Sequence, residues 1–123
     1  MSDPRKPPLE KDIHRAVAQF YKLCGCHVYN LAQGYRPGGK RHGSTRQTEG
    51  LADLYVLWPA RGVAWWHEVK RPGKYGVISP AQSDFDRLNG LCGVTVVTGG
   101  LGEARSQVDR VRGIGPPRPP ESP

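Results

Sequence analysis

The chain is short of the residues that build a large or cross-linked core. It has one methionine, two phenylalanines and 8% aromatics overall. Three cysteines, Cys24, Cys26 and Cys92, are too few and odd in number for a disulfide scaffold. With no signal-peptide pattern, they point to a reducing compartment, so a cytoplasmic protein of a bacterial or phage-infected cell is expected. No apolar run approaches the roughly 20 residues of a membrane helix, so no membrane partner is expected. No P-loop pattern is present, which argues against a nucleotide cofactor. Internal repeats are missing too. Acidic residues are the minority, 11 against 18 Lys and Arg, for a formal charge of +7. Excess positive charge speaks of partners: nucleic acid, an anionic membrane or an acidic protein. Plain solubility is the bland alternative, but the clustering of the basic residues favours nucleic acid.

What is present suffices for one compact domain. The 123 residues are 37% hydrophobic. Residues 1–8 are polar and Pro-rich, and residues 113–123 contain Gly-Pro-Pro-Arg-Pro-Pro. Proline continues neither a helix nor a central strand, so both ends are expected to be loose tails around a domain of residues 9–112.

Inside the domain, Ile13, Val17, Phe20 and Cys24 recur at spacings of three and four, which predicts a helix from Leu9 to Cys24. Pro8 precedes it, Glu10 and Asp12 lie in its first turn, and Gly25 is placed to end it. The spacing also puts Glu10 on the apolar stripe; complementing the helix dipole is its plain role. Residues 26–32 read as a strand. Residues 33–49 form a long Gly-rich loop with Arg36, Lys40, Arg41, His42 and Arg46, suited to a phosphate backbone. Residues 50–70 form a hairpin whose two strands are apolar on both faces and therefore expected to be covered on both. A second loop carries Arg71, Lys74 and Tyr75, the last a candidate for base stacking. Ser79 and Pro80 open a helix to about Leu91, with Phe85 and Leu88 inward and Asp84, Asp86 and Arg87 mostly outward. A strand over 94–98 and a last helix over 101–112, with Ala104 and Val108 inward, complete the order α-β-β-β-α-β-α. A strand reached through a helix implies a parallel crossover, and the hairpin implies antiparallel pairs. An α/β fold follows, with a mixed sheet flanked by helices.

The hairpin carries the chemistry. Asp53 starts its first strand, while Glu68 and Lys70, two residues apart, share a face of the second. Charge on buried strands is costly unless compensated, and a divalent cation would compensate it. Two carboxylates make an oxygen-ligand site for Mg²⁺ or Mn²⁺, with the Val69 carbonyl as a third ligand and Glu10 as an additional one, direct or through water. Such an ion polarises a phosphoryl centre and activates water. Lys70 would hold that water or stabilise transition-state charge, and Gln82 would orient Lys70 or a phosphate oxygen. A lone Asp is ordinarily a surface residue, and Glu-x-Lys is ordinarily a solvated strand pair; it is their combination that is specific. Zinc at Cys24, Cys26, His27, His42 and Cys92 is disfavoured by the Cys-x-Cys spacing.

These pieces in this order resemble the PD-(D/E)XK nuclease superfamily, and within it the VRR-NUC family, close to archaeal Holliday-junction resolvases. The matching residues are Glu10, Gly50-Leu51-Ala52-Asp53, Glu68-Val69-Lys70-Arg71-Pro72-Gly73, Ser79-Pro80-Ala81-Gln82 and Gly93-Val94 with the strand after them. The resemblance spans Leu9 to about Val108. It implies an αβββαβ core and metal-dependent hydrolysis of DNA to 5′-phosphate and 3′-hydroxyl ends. It also implies homodimers acting on branched DNA. Ala52 stands where the superfamily motif has proline. Two rival readings remain: a non-catalytic nucleic-acid-binding module, and a nuclease subunit of a larger repair or restriction assembly.

Overall fold

The computed structural model of the chain describes residues 8–31, 50–73 and 76–113. Arg36, Lys40, Arg41, His42, Arg46, Lys74 and Tyr75 therefore lie outside the described residues, as do both tails save Pro8 and Gly113.

Helix α1 spans Glu10–Leu23, and Ile13, Val17 and Tyr21 are its buried residues. Gly25, at φ 98°, ends it. Its N–H reaches the Lys22 carbonyl and the Cys26 N–H reaches that of Tyr21, a Schellman closure. Strand β1 (His27–Asn30) is shorter than its sequence pattern, because Cys26 is used in this closure. Strand β2 is Leu54–Trp58 and β3 is Val63–Val69, joined through a 3₁₀ turn at Pro59–Arg61. Gly62 leaves that turn in the left-handed region. Helix α2 spans Pro80–Leu91, β4 Val96–Gly99 and α3 Leu101–Arg112. The last strand begins two residues later than expected, because the Val94 N–H closes the exit of α2 onto the Asn89 carbonyl at 2.8 Å.

The sheet order is β1-β2-β3-β4. The first two pairings are antiparallel and β3–β4 is parallel, so an α/β architecture with a mixed sheet is observed. One face carries the core. Leu54, Val56 and Trp58 meet Trp65 and Val69 there, under Val17 and Tyr21 of α1 and Ala104 and Val108 of α3. The hydrophobic effect acts mainly on this face. The opposite face departs from the expected burial. Among the described residues only α2 approaches it, with Phe85 edge-on to Trp66 at 5.4 Å, and α2 has no buried residue. Leu88, expected inward, is half exposed, and Tyr29 is 58% exposed. One short helix cannot cover four strands. No helix among the described residues is long and apolar enough to cross a membrane.

Candidate active site

The β2–β3 register, Leu54↔His67, brings Asp53 opposite Glu68. Here β3 outruns β2, so a backbone N–H is left without a strand partner, and the Asp53 side chain takes that place. Its Oδ2 accepts the Val69 N–H at 2.8 Å. The acid is thereby held as part of the sheet's hydrogen bonding. Glu68 is buried to 4% exposure on the α2 side.

Helix α2 supplies the other half. Ser79 caps it, its side chain accepting the Gln82 N–H while the Gln82 side chain accepts the Ser79 N–H, a reciprocal capping box. The capping box fixes the Gln82 amide. Gln82 Nε2 then donates to Glu68 Oε1 at 2.6 Å, and its Oε1 accepts from Lys70 Nζ at 2.9 Å. Lys70 Nζ also donates to the Val77 carbonyl at 3.0 Å and stands 3.9 Å from Glu68 Oε1. Two of the three ammonium donors are thus committed to positioning it. Gln82 orients Lys70, one of the two roles its sequence position suggested, and it orients Glu68 as well.

Burial pushes the Glu68 carboxyl up to about 8; the Asp53 charge and a hydrogen bond shared with Asp53 add to the rise, and Lys70 opposes it. Asp86 was expected outward, yet it is half-buried. Burial raises its carboxyl, with Lys70 acting against the shift. It sits one helical turn after Gln82, and that i, i+4 spacing was the available signal.

The expected ligand set is only partly assembled. Asp53 and Glu68 converge, while Val69, expected to offer its carbonyl, meets them through its N–H, which donates to Asp53 and cannot ligate a cation. Glu10 does not join: it is the first residue of α1, exposed, a turn before the helix packs at Ile13. Its placement on the apolar stripe is corrected accordingly. It shares a cavity of about 300 Å³ with Asp53 instead. Among the described residues, no group of three or more His, Cys, Asp or Glu side chains could hold a metal by itself. The donor chemistry nevertheless suits a hydrated Mg²⁺ or Mn²⁺: two facing carboxyl groups, oxygen-only, whose mutual repulsion a cation would relieve. Arg71, foreseen as a DNA contact, donates from Nε to the Pro8 carbonyl at 3.1 Å, tying the residue just before α1 to the end of β3. Beside it a cleft of about 620 Å³ runs between α1 and the start of α3, with Lys70 on its wall.

Behind the site, His67 is fully buried between Tyr21 and Gly99. Its Nε2 lies 3.0 Å from the Gly99 carbonyl, which can only accept, so Nε2 carries the proton. In the neutral ring Nδ1 then accepts from the Tyr21 hydroxyl at 2.6 Å. Burial lowers the His67 pKa, against the pull of the Gly99 carbonyl. This link braces β3 between α1 and β4, one residue from Glu68. The alternation of β3 put His67 on the same face as Trp65 and Val69, but nothing local named its partners.

Comparison with protein-family models, curated proteins and solved structures gives no match.

Proposed function

We propose that the chain is a divalent-metal-dependent DNA endonuclease of the PD-(D/E)XK type, of the VRR-NUC kind its motifs resemble. One observation carries the reading: Asp53 and Glu68 face each other beside a lysine, and one glutamine holds both Glu68 and Lys70. A binding module would have no need to bury two acids together at a cost. Asp53 and Glu68 would hold Mg²⁺ or Mn²⁺, with Glu10 reaching it through water across the shared cavity. When bound, the ion supplies Lewis-acid polarisation of the phosphodiester and a more acidic water. The chain's own part is positioning. Gln82 keeps Lys70 beside the carboxylates, and the remaining N–H of Lys70 stabilises charge on the phosphoryl oxygens. Water adds to phosphorus and the 3′-oxygen leaves, giving 5′-phosphate and 3′-hydroxyl ends. One site cuts one strand, so symmetric cutting of branched DNA would take two copies of the chain.

The test incubates the pure protein with labelled four-way junction, flap and duplex DNA and Mg²⁺. Cleavage of at least one substrate is expected, with Asp53→Ala and Lys70→Ala each lowering the rate by at least roughly 100-fold. No cleavage of any substrate, or cleavage indifferent to both substitutions, rejects the nuclease.

A further inference from the structure

Lys11, Arg15 and Lys22 occupy positions i, i+4 and i+11 of α1, so they share one stripe of the helix. All three are exposed. None of them is paired with a carboxylate among the described residues. Between this stripe and the end of β1 runs a groove of about 430 Å³, to which all three contribute. It adjoins the smaller cavity of about 300 Å³ that reaches Asp53. The two share Lys11, His14 and Asn30 as wall residues. At that junction His14 Nε2 is buried and has no hydrogen-bond partner among the described residues. A buried ring nitrogen without a partner is costly and marks a place where a ligand or water completes it.

We infer that this outward face of α1 is the track of a nucleic-acid backbone, leading phosphates past His14 to the carboxylates at Asp53. The inference rests on the nuclease reading and names the path its substrate takes. From Lys11 to Lys22 the helix rises about 16 Å, close to five nucleotide steps at ~3.4 Å per step along one strand. Along the axis Lys11 and Arg15 are about 6 Å apart and Arg15 and Lys22 about 10 Å, roughly two and three nucleotide steps, so the three cations meet spaced phosphates of one strand, while the acids lie at one end only, where the scissile phosphate would be held. The long basic loop marked in the sequence is thereby joined by a second basic element, which the helical pattern concealed as an ordinary wet face.

The test measures binding of a labelled, partly single-stranded DNA by fluorescence anisotropy in EDTA over a range of NaCl. Binding is thus read without cleavage. For Lys11→Gln/Arg15→Gln/Lys22→Gln, the slope of log affinity against log salt is expected to shrink by about 2 to 3. A control, Arg61→Gln/Arg105→Gln/Arg110→Gln, loses the same charge elsewhere and is expected to keep the wild-type slope. His14→Ala is expected to weaken binding roughly three- to ten-fold at constant slope. An α1 variant with the wild-type slope, or a control that loses as much, overturns the track and leaves the nuclease standing. A wild-type protein that binds no DNA in EDTA, or binds only vesicles containing phosphatidylserine, also overturns the track, while the nuclease itself is rejected by the cleavage test alone.

Discussion

At the scale of residues, the site is held under electrostatic tension. The Glu68 carboxyl sits at about 8, raised by burial and by Asp53. In the unfolded chain it would sit near its ordinary ~4.3. Between those values the folded state binds the extra proton, so stability falls as pH rises from about 4.3 through about 8. The accumulated cost is on the order of a few kcal/mol. Metal-free protein melted at pH 5 to 9 is expected to show this decline, and Asp53→Asn or Glu68→Gln to flatten it. Each amide keeps an oxygen for its present donor, the Val69 N–H or Gln82 Nε2. Added Mg²⁺ is expected to raise Tm more at pH 8.5 than at pH 6, since ligand carboxylates must lose their protons to bind. His67 works in the opposite direction. Its pKa is lowered by burial, so the unfolded chain takes up the proton first and stability is lost as pH falls below about 6.5. Tyr21→Phe removes the donor to Nδ1 and is expected to cost about 1–3 kcal/mol in denaturant unfolding.

At the scale of elements, the start of α2 matters most. Its capping box has two functions, satisfying helix N–H groups and fixing the glutamine that holds Glu68 and Lys70. Ser79→Ala is expected to cost about 0.5–2 kcal/mol of stability. It is expected to lower cleavage further than that loss explains, and rate and melting measured on one preparation compare the two. Gly50 approaches the same turn. At φ +82°, a Cβ there would lie 2.5 Å from the Ala81 carbonyl oxygen. Gly50→Ala therefore combines backbone strain with a backbone clash, and is expected to cost roughly 2–4 kcal/mol. The Gly-x-x-Asp pattern is thus packing as much as chemistry: its glycine lets the chain pass α2 just before Asp53.

At the scale of the whole molecule, one core supports one sheet face. Val17 of α1 and Val108 of α3 are both buried in that cluster. Val17→Ala and Val108→Ala are each expected to cost about 1–3 kcal/mol and to shift a single transition, seen alike by tryptophan fluorescence and far-UV circular dichroism. Separate transitions for the two probes would mean that the helices and the sheet unfold independently. Glu68 and Lys70 lie toward the less covered face, which α2 alone approaches among the described residues.

Much of this was legible in the chain. The helices were marked by periodicity and by residues that start or stop them: Pro80 after Ser79, Gly25 after α1. The last helix has the limits its pattern predicts, because capping and periodicity act over four or five neighbouring residues. The alternation of β3 set Glu68 and Lys70 on one face and Trp65 and His67 on the other, but which face meets the core was decided by where α1 and α3 pack. Tertiary structure alone decided what depends on distant segments. The register of the hairpin set Asp53 against Glu68, and the docking of α2 brought Gln82 and Asp86 to Lys70. Glu10 was read onto the apolar stripe because spacing is blind to where a helix begins to pack. The full burial expected for both sheet faces failed because strand composition does not count the helices available to cover it. Asp53, Glu68 and Lys70 could be named from the sequence, since their types and spacing are local. Beyond the Lys70–Gln82 contact, the hydrogen bonds of Asp53 to the Val69 N–H, of Glu68 to Gln82 and of Lys70 to the Val77 carbonyl could not, since each is a contact between segments that only the folded chain brings together.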